Sequence, residues 1–179
     1  MTGSVVHSGA VLWFTGLSGA GKSTLARASA SELLRQGYRV EVLDGDMVRE
    51  HLSRGLGFTR EDRRTNVLRI AYVAHLLARN GVHVCVAAIS PFLEVRQEAR
   101  SMIGDFVEVH VATPLEVCMD RDVKGLYAKA KSGQIADFTG VSQPYEPSAT
   151  PELRIDTSQS SIEQCVSTIT TKLLECGYL

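Results

Sequence analysis

Between residues 16 and 23 the chain reads Gly16-Leu17-Ser18-Gly19-Ala20-Gly21-Lys22-Ser23, followed by Thr24. The pattern GxxxxGK[ST] constrains the fold more than any other segment, because it works only between a strand and the start of a helix. Glycines let the backbone curl until successive N–H groups converge on phosphate oxygens. The helix behind the loop adds the positive end of its dipole. Lys22 is placed to reach the β- and γ-phosphates of a nucleoside triphosphate, and Ser23 to offer a hydroxyl to magnesium. The flanks supply the required context. The apolar run Val11 to Thr15 predicts a strand, and Lys22 to about Gln36 predicts a helix closed by Gly37. A chance match in a chain of this length is on the order of 1%.

The same alternation continues. Arg39 to Leu43 reads as a second strand ending on Asp44-Gly45-Asp46. Thr59 and Asp62 resemble a capping box ahead of a helix with Val67, Ile70, Ala71, Ala74 and Leu77 on one face, which Gly81 ends. Val82 to Ile89 is a near-continuous apolar strand, and Ser90-Pro91 predicts a helix start with Pro91 in its first turn. Phe106 to Ala112 is a fourth strand, followed by the capping signature Thr113-Pro114-Leu115-Glu116. Residues from about 122 to 151 are polar, irregular and rich in Gly and Pro, as lids and binding loops are. Leu153 to Asp156 gives a fifth strand, and Ser160 with Glu163 is expected to cap a last helix to about Glu175. Strands apolar on both faces, alternating with helices, predict a three-layer α/β sandwich: a five-stranded parallel sheet with helices on both faces and a lid segment, the P-loop NTPase fold. Residues 1–9 read as a loose tail and 10–179 as a single kinase-like domain with its lid at about 122–151.

The 179 residues fit one domain, and 44% hydrophobic and 22% charged residues are ordinary for a globular protein. A formal net charge of −1 gives no support for nucleic acid or a membrane surface as partner. The N-terminus lacks the build of a signal peptide, and the longest apolar run is too short to span a bilayer, so a cytoplasmic location is the default. The four cysteines, Cys85, Cys118, Cys165 and Cys176, show no zinc spacing and read as buried or half-buried thiols. His51, His75, His83 and His110 show no metal spacing either. Trp13 reads as core rather than as a stacking surface.

The loop names the donor phosphates but not the acceptor. A guanine-reading NKxD segment is absent, since the only Asn-initial dipeptides are Asn66-Val67 and Asn80-Gly81. The third strand ends in Ala88-Ile89-Ser90 and not in the Asp of a motor or transport ATPase. The carboxylates nearest a strand end are Asp44 and Asp46, which suits a small-molecule kinase with one carboxylate between magnesium and the acceptor hydroxyl. Arg49, Arg54, Arg60, Arg63 and Arg64 follow, with Phe58 and Asn66 among them. Arginine forks bind oxyanions and an aromatic ring stacks on a base, so this stretch favours a second anionic substrate. A kinase for a sugar acid or a nucleotide, and a nucleotide-binding regulator that has lost transfer, remain open on these residues.

Gly16 to Thr24, Leu43-Asp44-Gly45-Asp46, Leu56 to Arg63, Asn66, Ile89-Ser90-Pro91-Phe92, Lys124-Gly125-Leu126-Tyr127, Asp137-Phe138-Thr139-Gly140 and Tyr145-Glu146-Pro147 together resemble the adenylyl-sulfate kinases. The resemblance runs from about residue 10 to 178. It implies ATP and Mg²⁺ as cofactors and adenosine 5′-phosphosulfate as the acceptor, phosphorylated on its 3′-hydroxyl. It implies that Arg49, Phe58, Arg63, Asn66, Ile89, Ser90, Lys124, Leu126 and Phe138, with Asp44 and Asp46, form the acceptor pocket. Phe58 and Phe138 would sandwich the adenine, and Arg49, Arg63 and Asn66 would hold the phosphosulfate. Asp46 would be the metal-linked carboxylate and Lys124 a lid residue near the transferring phosphate. Arg121 is a candidate to stack on the adenine of ATP.

Ser90 carries two readings: a phosphoserine intermediate, as the family is conventionally described, or a positioning group in a direct transfer. The resemblance further implies a homodimer and allows functional coupling to a separate ATP sulfurylase. The chain departs from the family pattern at Met47, where Asn is usual, at Val123 and Ser148, where Pro is usual, and at Ala128, where a second Lys is common.

Overall fold

The computed structural model describes residues 9–179; of the predicted tail, residues 1–8 lie outside the described residues. Gly9 belongs to the folded part, buried, with its N–H donated to the Ala78 carbonyl at 2.8 Å. The elements alternate as β1 (Val11–Thr15), α1 (Lys22–Arg35), β2 (Val40–Asp44), α2 (Gly45–His51), α3 (Arg60–Ala78), β3 (His83–Ala87), α4 (Leu93–Ile103), β4 (Phe106–Val111), α5 (Leu115–Arg121), α6 (Leu126–Lys131), β5 (Leu153–Ile155) and α7 (Ile162–Glu175). The five strands pair in parallel in the order β2-β3-β1-β4-β5.

β1, β3 and β4 are buried at every residue, which is why they read as unbroken apolar runs rather than alternating ones. Side chains still alternate between the two faces. Leu12 and Phe14 join the cluster with Leu25, Leu33, Ile169 and Leu173 of α1 and α7. Val11 and Trp13 join the opposite cluster with Val67, Ile70, Ala74, Val95 and Ala99 of α3 and α4. Each fully buried Leu, Val or Phe contributes roughly 1.5–3 kcal/mol over an exposed one, so this double-sided burial dominates the stability. The edge strand β2 departs from the expectation of two apolar faces, since only Asp44 in it is fully buried.

Several local expectations change. Asp44-Gly45-Asp46 does more than end the second strand: β2 closes at Asp44, whose side chain accepts the Asp46 N–H and caps α2 from Gly45. Pro91 precedes α4 rather than entering it, because Ser90 adopts φ +45 and the helix begins at Leu93. Thr113 caps no helix, its hydroxyl being drawn to the Ala20 carbonyl instead. The last capping box sits one residue further on, between Ser161 and Gln164. The lid segment is not wholly irregular, as it contains α6. At the other expected cap the Thr59 hydroxyl does accept the Asp62 N–H, opening α3.

Candidate active site

The carboxyl ends of the strands open on a cleft of about 890 Å³. At its floor the backbone turns sharply after β1. Gly16 has φ +142, and a Cβ there would stand 2.4 Å from the Val111 carbonyl oxygen, so no other residue fits. Gly21 opens α1 in the left-handed region with no side-chain cap and no acidic residue in the first turn. The first amides of α1 are thus left for an anion, with the helix dipole behind them. Ser18, Gly19, Gly21, Lys22, Ser23 and Thr24 line the cleft, whereas Gly16, Leu17 and Ala20 shape the loop without lining it.

The loop is held by its carbonyls. The Leu17 carbonyl accepts from Lys22 Nζ at 2.6 Å, Ser18 from Tyr127 Oη at 2.9 Å, and Gly19 from Arg121 Nη1 at 3.3 Å. The Ala20 carbonyl accepts from both Thr113 Oγ1 and Thr157 Oγ1, at 3.0 and 2.9 Å. With four consecutive carbonyls engaged by side chains, the loop keeps its curl without help from a ligand, which is preorganisation in the electrostatic sense. Sequence reasoning missed Tyr127 and Thr157 and misassigned Thr113; single hydroxyls far along the chain give no signal. Burial lowers the Lys22 pKa from its ordinary value to about 8.

Across the cleft, the two carboxylates of the Asp-Gly-Asp segment part ways. Asp44 is buried, spent on capping α2 and on a 3.5 Å contact with Arg27. The Asp46 side chain is 72% exposed and meets Lys124 Nζ in an ion pair that links the lid to the end of β2. Beside them Arg49 lies over the Phe58 ring at 4.4 Å, and Arg63 lies 5.4 Å from the same ring. Burial lowers the pKa of both guanidiniums, and for Arg63 the nearby Arg49 charge adds to the effect. Among the described residues neither guanidinium has a carboxylate within ion-pair distance, so two half-desolvated cations can meet an anion there. Arg63 also ties α3 to the lid, donating to the carbonyls of Phe58 and Asp137 and to Thr139 Oγ1.

Asn66 is buried and its Oδ1 has no hydrogen-bond partner among the described residues, an unmet acceptor in the wall of the cleft. Ile89, Ser90 and Leu126 line the same space, as does Phe138, which packs edge-on to Tyr127 at 5.1 Å. The Ser90 hydroxyl is buried and accepts the Trp13 indole N–H at 3.0 Å. Trp13 is core, as its sequence context implies. Arg121 is exposed, its guanidinium fixed by Gly19 and Thr157 at the rim. Every predicted pocket residue, Asp44 and Arg121 included, therefore lines one cleft. Of the departures, Met47 and Val123 are exposed, whereas the Ser148 hydroxyl donates to buried Glu108 at 2.6 Å.

A parallel sheet, a braced phosphate loop after its central strand, an exposed carboxylate after the edge strand β2 that meets the lid lysine, and a cationic pocket opposite define a P-loop kinase of small molecules. The adenylylsulphate kinase family model matches residues 8–156. The adenylyl-sulfate kinase of Microcystis aeruginosa is 53% identical over 171 residues, covering 96% of this chain and 94% of that one. The APS kinase of Mycobacterium tuberculosis, solved in complex with AMPPNP and APS, superposes with a TM-score of 0.90 at 44% identity, covering 93% and 98% of the two chains. This chain belongs to the adenylyl-sulfate kinase family. A gluconokinase of Sinorhizobium meliloti, at 18% identity and a TM-score of 0.61 over 95% and 94% of the chains, shares the fold alone.

Proposed function

We propose that this enzyme transfers the γ-phosphoryl group of ATP to the 3′-hydroxyl of adenosine 5′-phosphosulfate, giving ADP and 3′-phosphoadenylyl sulfate. The observation that carries the reading is the meeting of Asp46 and Lys124 between the phosphate loop and the Arg49–Phe58–Arg63–Asn66 pocket. The free amides at Gly21 to Ser23 and the Lys22 ammonium take up the negative charge of the migrating phosphoryl group. Asp46 accepts the acceptor's hydroxyl proton, and Lys124, released from Asp46, turns to the transferring oxygens. Arg49 and Arg63 supply positive charge for the phosphosulfate, Asn66 Oδ1 takes a hydrogen bond from the acceptor, and Phe58 with Phe138 flanks its adenine. Arg121 stacks on the adenine of ATP. Closure of the lid excludes water, the wasteful competitor.

Magnesium fits this donor set. Among the described residues no cluster of three or more His, Cys, Asp or Glu could form an all-protein cage. Magnesium needs none, since it is carried by phosphates and one or two protein oxygens, here Ser23 and Asp46. When bound, it neutralises phosphate charge. Direct transfer is favoured over a phosphoserine because the Ser90 hydroxyl is buried and engaged by Trp13.

A homodimer follows the family, and an open groove with Leu52 at the end of α2, Leu68, Tyr72 and Val73 of α3 and Met102 of α4 supports it. A cytoplasmic location and coupling to a separate ATP sulfurylase complete the proposal. No helix among the described residues is long and apolar enough to cross a membrane.

The test supplies Mg-ATP with adenylyl sulfate, a nucleoside monophosphate or gluconate and follows ADP. Stimulation by adenylyl sulfate is expected, and its absence overturns the reading. Ser90→Ala should keep turnover far above that of Lys22→Met; equal loss in the two variants would restore the phosphoserine.

A further inference from the structure

Behind the acceptor wall lies a charged residue that does not itself line the cleft. Arg96 of α4 has a side chain only 1% exposed, paired at 3.1 Å with Glu108 of β4, itself 5% exposed. A buried pair of this kind is retained against its desolvation only when its remaining donors and acceptors are also satisfied. Here they are. Arg96 Nη1 donates to the Ser90 carbonyl at 2.6 Å. Its Nη2 donates to the Glu146 carbonyl at 2.5 Å and to Ser148 Oγ at 3.3 Å, while Ser148 Oγ donates to Glu108. One guanidinium thus joins the loop after β3 to the root of the lid.

Two further ties run between the same segments. The Glu146 N–H donates to the Pro91 carbonyl at 2.9 Å, and the Glu146 carboxylate accepts the Leu93 N–H at 2.8 Å. Thr15 Oγ1 donates to the Ile89 carbonyl and is within 3.0 Å of Tyr145 Oη. Between these clamps Ser90 stands at φ +45, a left-handed conformation that a residue with a side chain does not hold unaided. Its two polar ends are fixed separately, the hydroxyl by Trp13 and the carbonyl by Arg96.

We infer that Arg96 is a positioning residue for acceptor binding: it fixes the Ile89–Ser90–Pro91 wall by holding the Ser90 carbonyl and couples that wall to the lid root at Glu146 and Ser148. The inference rests on the reading that this wall faces the acceptor. A planar fork is required, because four oxygens in different directions must be met at once. Lysine can keep the charge opposite Glu108 but cannot span them.

The experiment compares Arg96→Lys with Arg100→Lys. Arg100 pairs with Glu152 at 2.7 Å and reaches the other Glu108 oxygen at 3.7 Å but does not touch the wall, and so controls for weakened pairing around Glu108 with the Ser90 contact left in place. Arg96→Lys should raise KM for adenylyl sulfate about tenfold and leave KM for ATP within about twofold, whereas Arg100→Lys should change neither. Because Trp13 is the only tryptophan, its indole N–H gives a single NMR resonance that reports its bond to Ser90. That resonance should move upfield in Arg96→Lys, toward its position in Ser90→Ala, and stay put in Arg100→Lys.

Parallel rises in both KM values, or an unmoved indole resonance in a folded Arg96→Lys protein, would overturn the inference. If Arg96→Lys does not fold, Ser148→Ala, which loses the Arg96 contact but leaves the ion pair in place, is expected to give the same shifts at smaller size. No shift in that variant would count against the inference. The indole signal needs no substrate, so it separates failure of this inference from failure of the proposed reaction.

Discussion

The two sides of the cleft are built in different ways. On the proposed donor side the groups that line the cleft come from one short segment, Ser18, Gly19 and residues 21–24, and the loop's own geometry arranges them. On the acceptor side they come from five separate stretches, around Asp46, Phe58 to Asn66, Ser90, Lys124 and Phe138. The donor lysine is buried and bonded to its own loop, while the Asp46–Lys124 pair is largely exposed. The contrast teaches that one contiguous segment arranges the loop side, whereas the opposite side depends on long-range contacts among the lid, the end of β2 and the start of α3. A preformed site spends no reorganisation during transfer; an assembled one lets binding of the second substrate complete the machinery.

The largest expected effect tests the donor side. Lys22→Met should lower kcat by about 10³-fold, because it removes a charge that stabilises the migrating phosphoryl group. Its circular dichroism should be unchanged, since the carbonyl braces from Tyr127, Thr113 and Thr157 remain. Next, Asp46→Asn should lower kcat by about 10²-fold with little change in melting temperature. Asp44→Ala should do the reverse, costing about 1 kcal/mol of stability through loss of the α2 cap. If the two variants behaved alike, the division of labour between these carboxylates would be wrong.

The pH profile gives a smaller and graded effect. Because the Lys22 pKa is lowered to about 8, the free enzyme keeps its ammonium below that pH and loses it above. The value of kcat/KM for ATP should therefore be level below about pH 8 and fall by about tenfold per unit beyond it. Stability moves the other way. Between about 8 and the ordinary 10.5, the folded state holds fewer protons at Lys22 than the unfolded chain, so the contribution of this residue to stability rises with pH. Denaturant melts of wild type and Lys22→Met across that window check the sign. The smallest effect belongs to the brace: Tyr127→Phe leaves the Ser18 carbonyl without its donor, worth about 1 kcal/mol, and should raise KM for ATP about fivefold while sparing that for adenylyl sulfate. An acceptor-side defect in this variant would instead tie α6 to the wrong half of the cleft.

The amino-acid sequence by itself determined the donor side and the layers. The loop from Gly16 to Ser23 is short-range chemistry, and the apolar strands and helix periods are patterns visible within single segments. Segment by segment likeness also marked the proposed acceptor residues and implied roles for most of them, but not the contacts that hold them in place. The tertiary structure decided that Asp44 caps a helix while Asp46 faces the cleft, because one hydrogen bond across two residues chose between adjacent carboxylates. It also decided that Thr113 and Thr157 brace the Ala20 carbonyl and that Arg96 holds the Ser90 wall. Partners so far apart along the chain leave no periodic trace in it. Only the packing of α4, β4 and the lid root around one buried guanidinium makes Arg96, Glu108 and Glu146 neighbours, as the approach of the loops after β4 and β5 does for Ala20, Thr113 and Thr157.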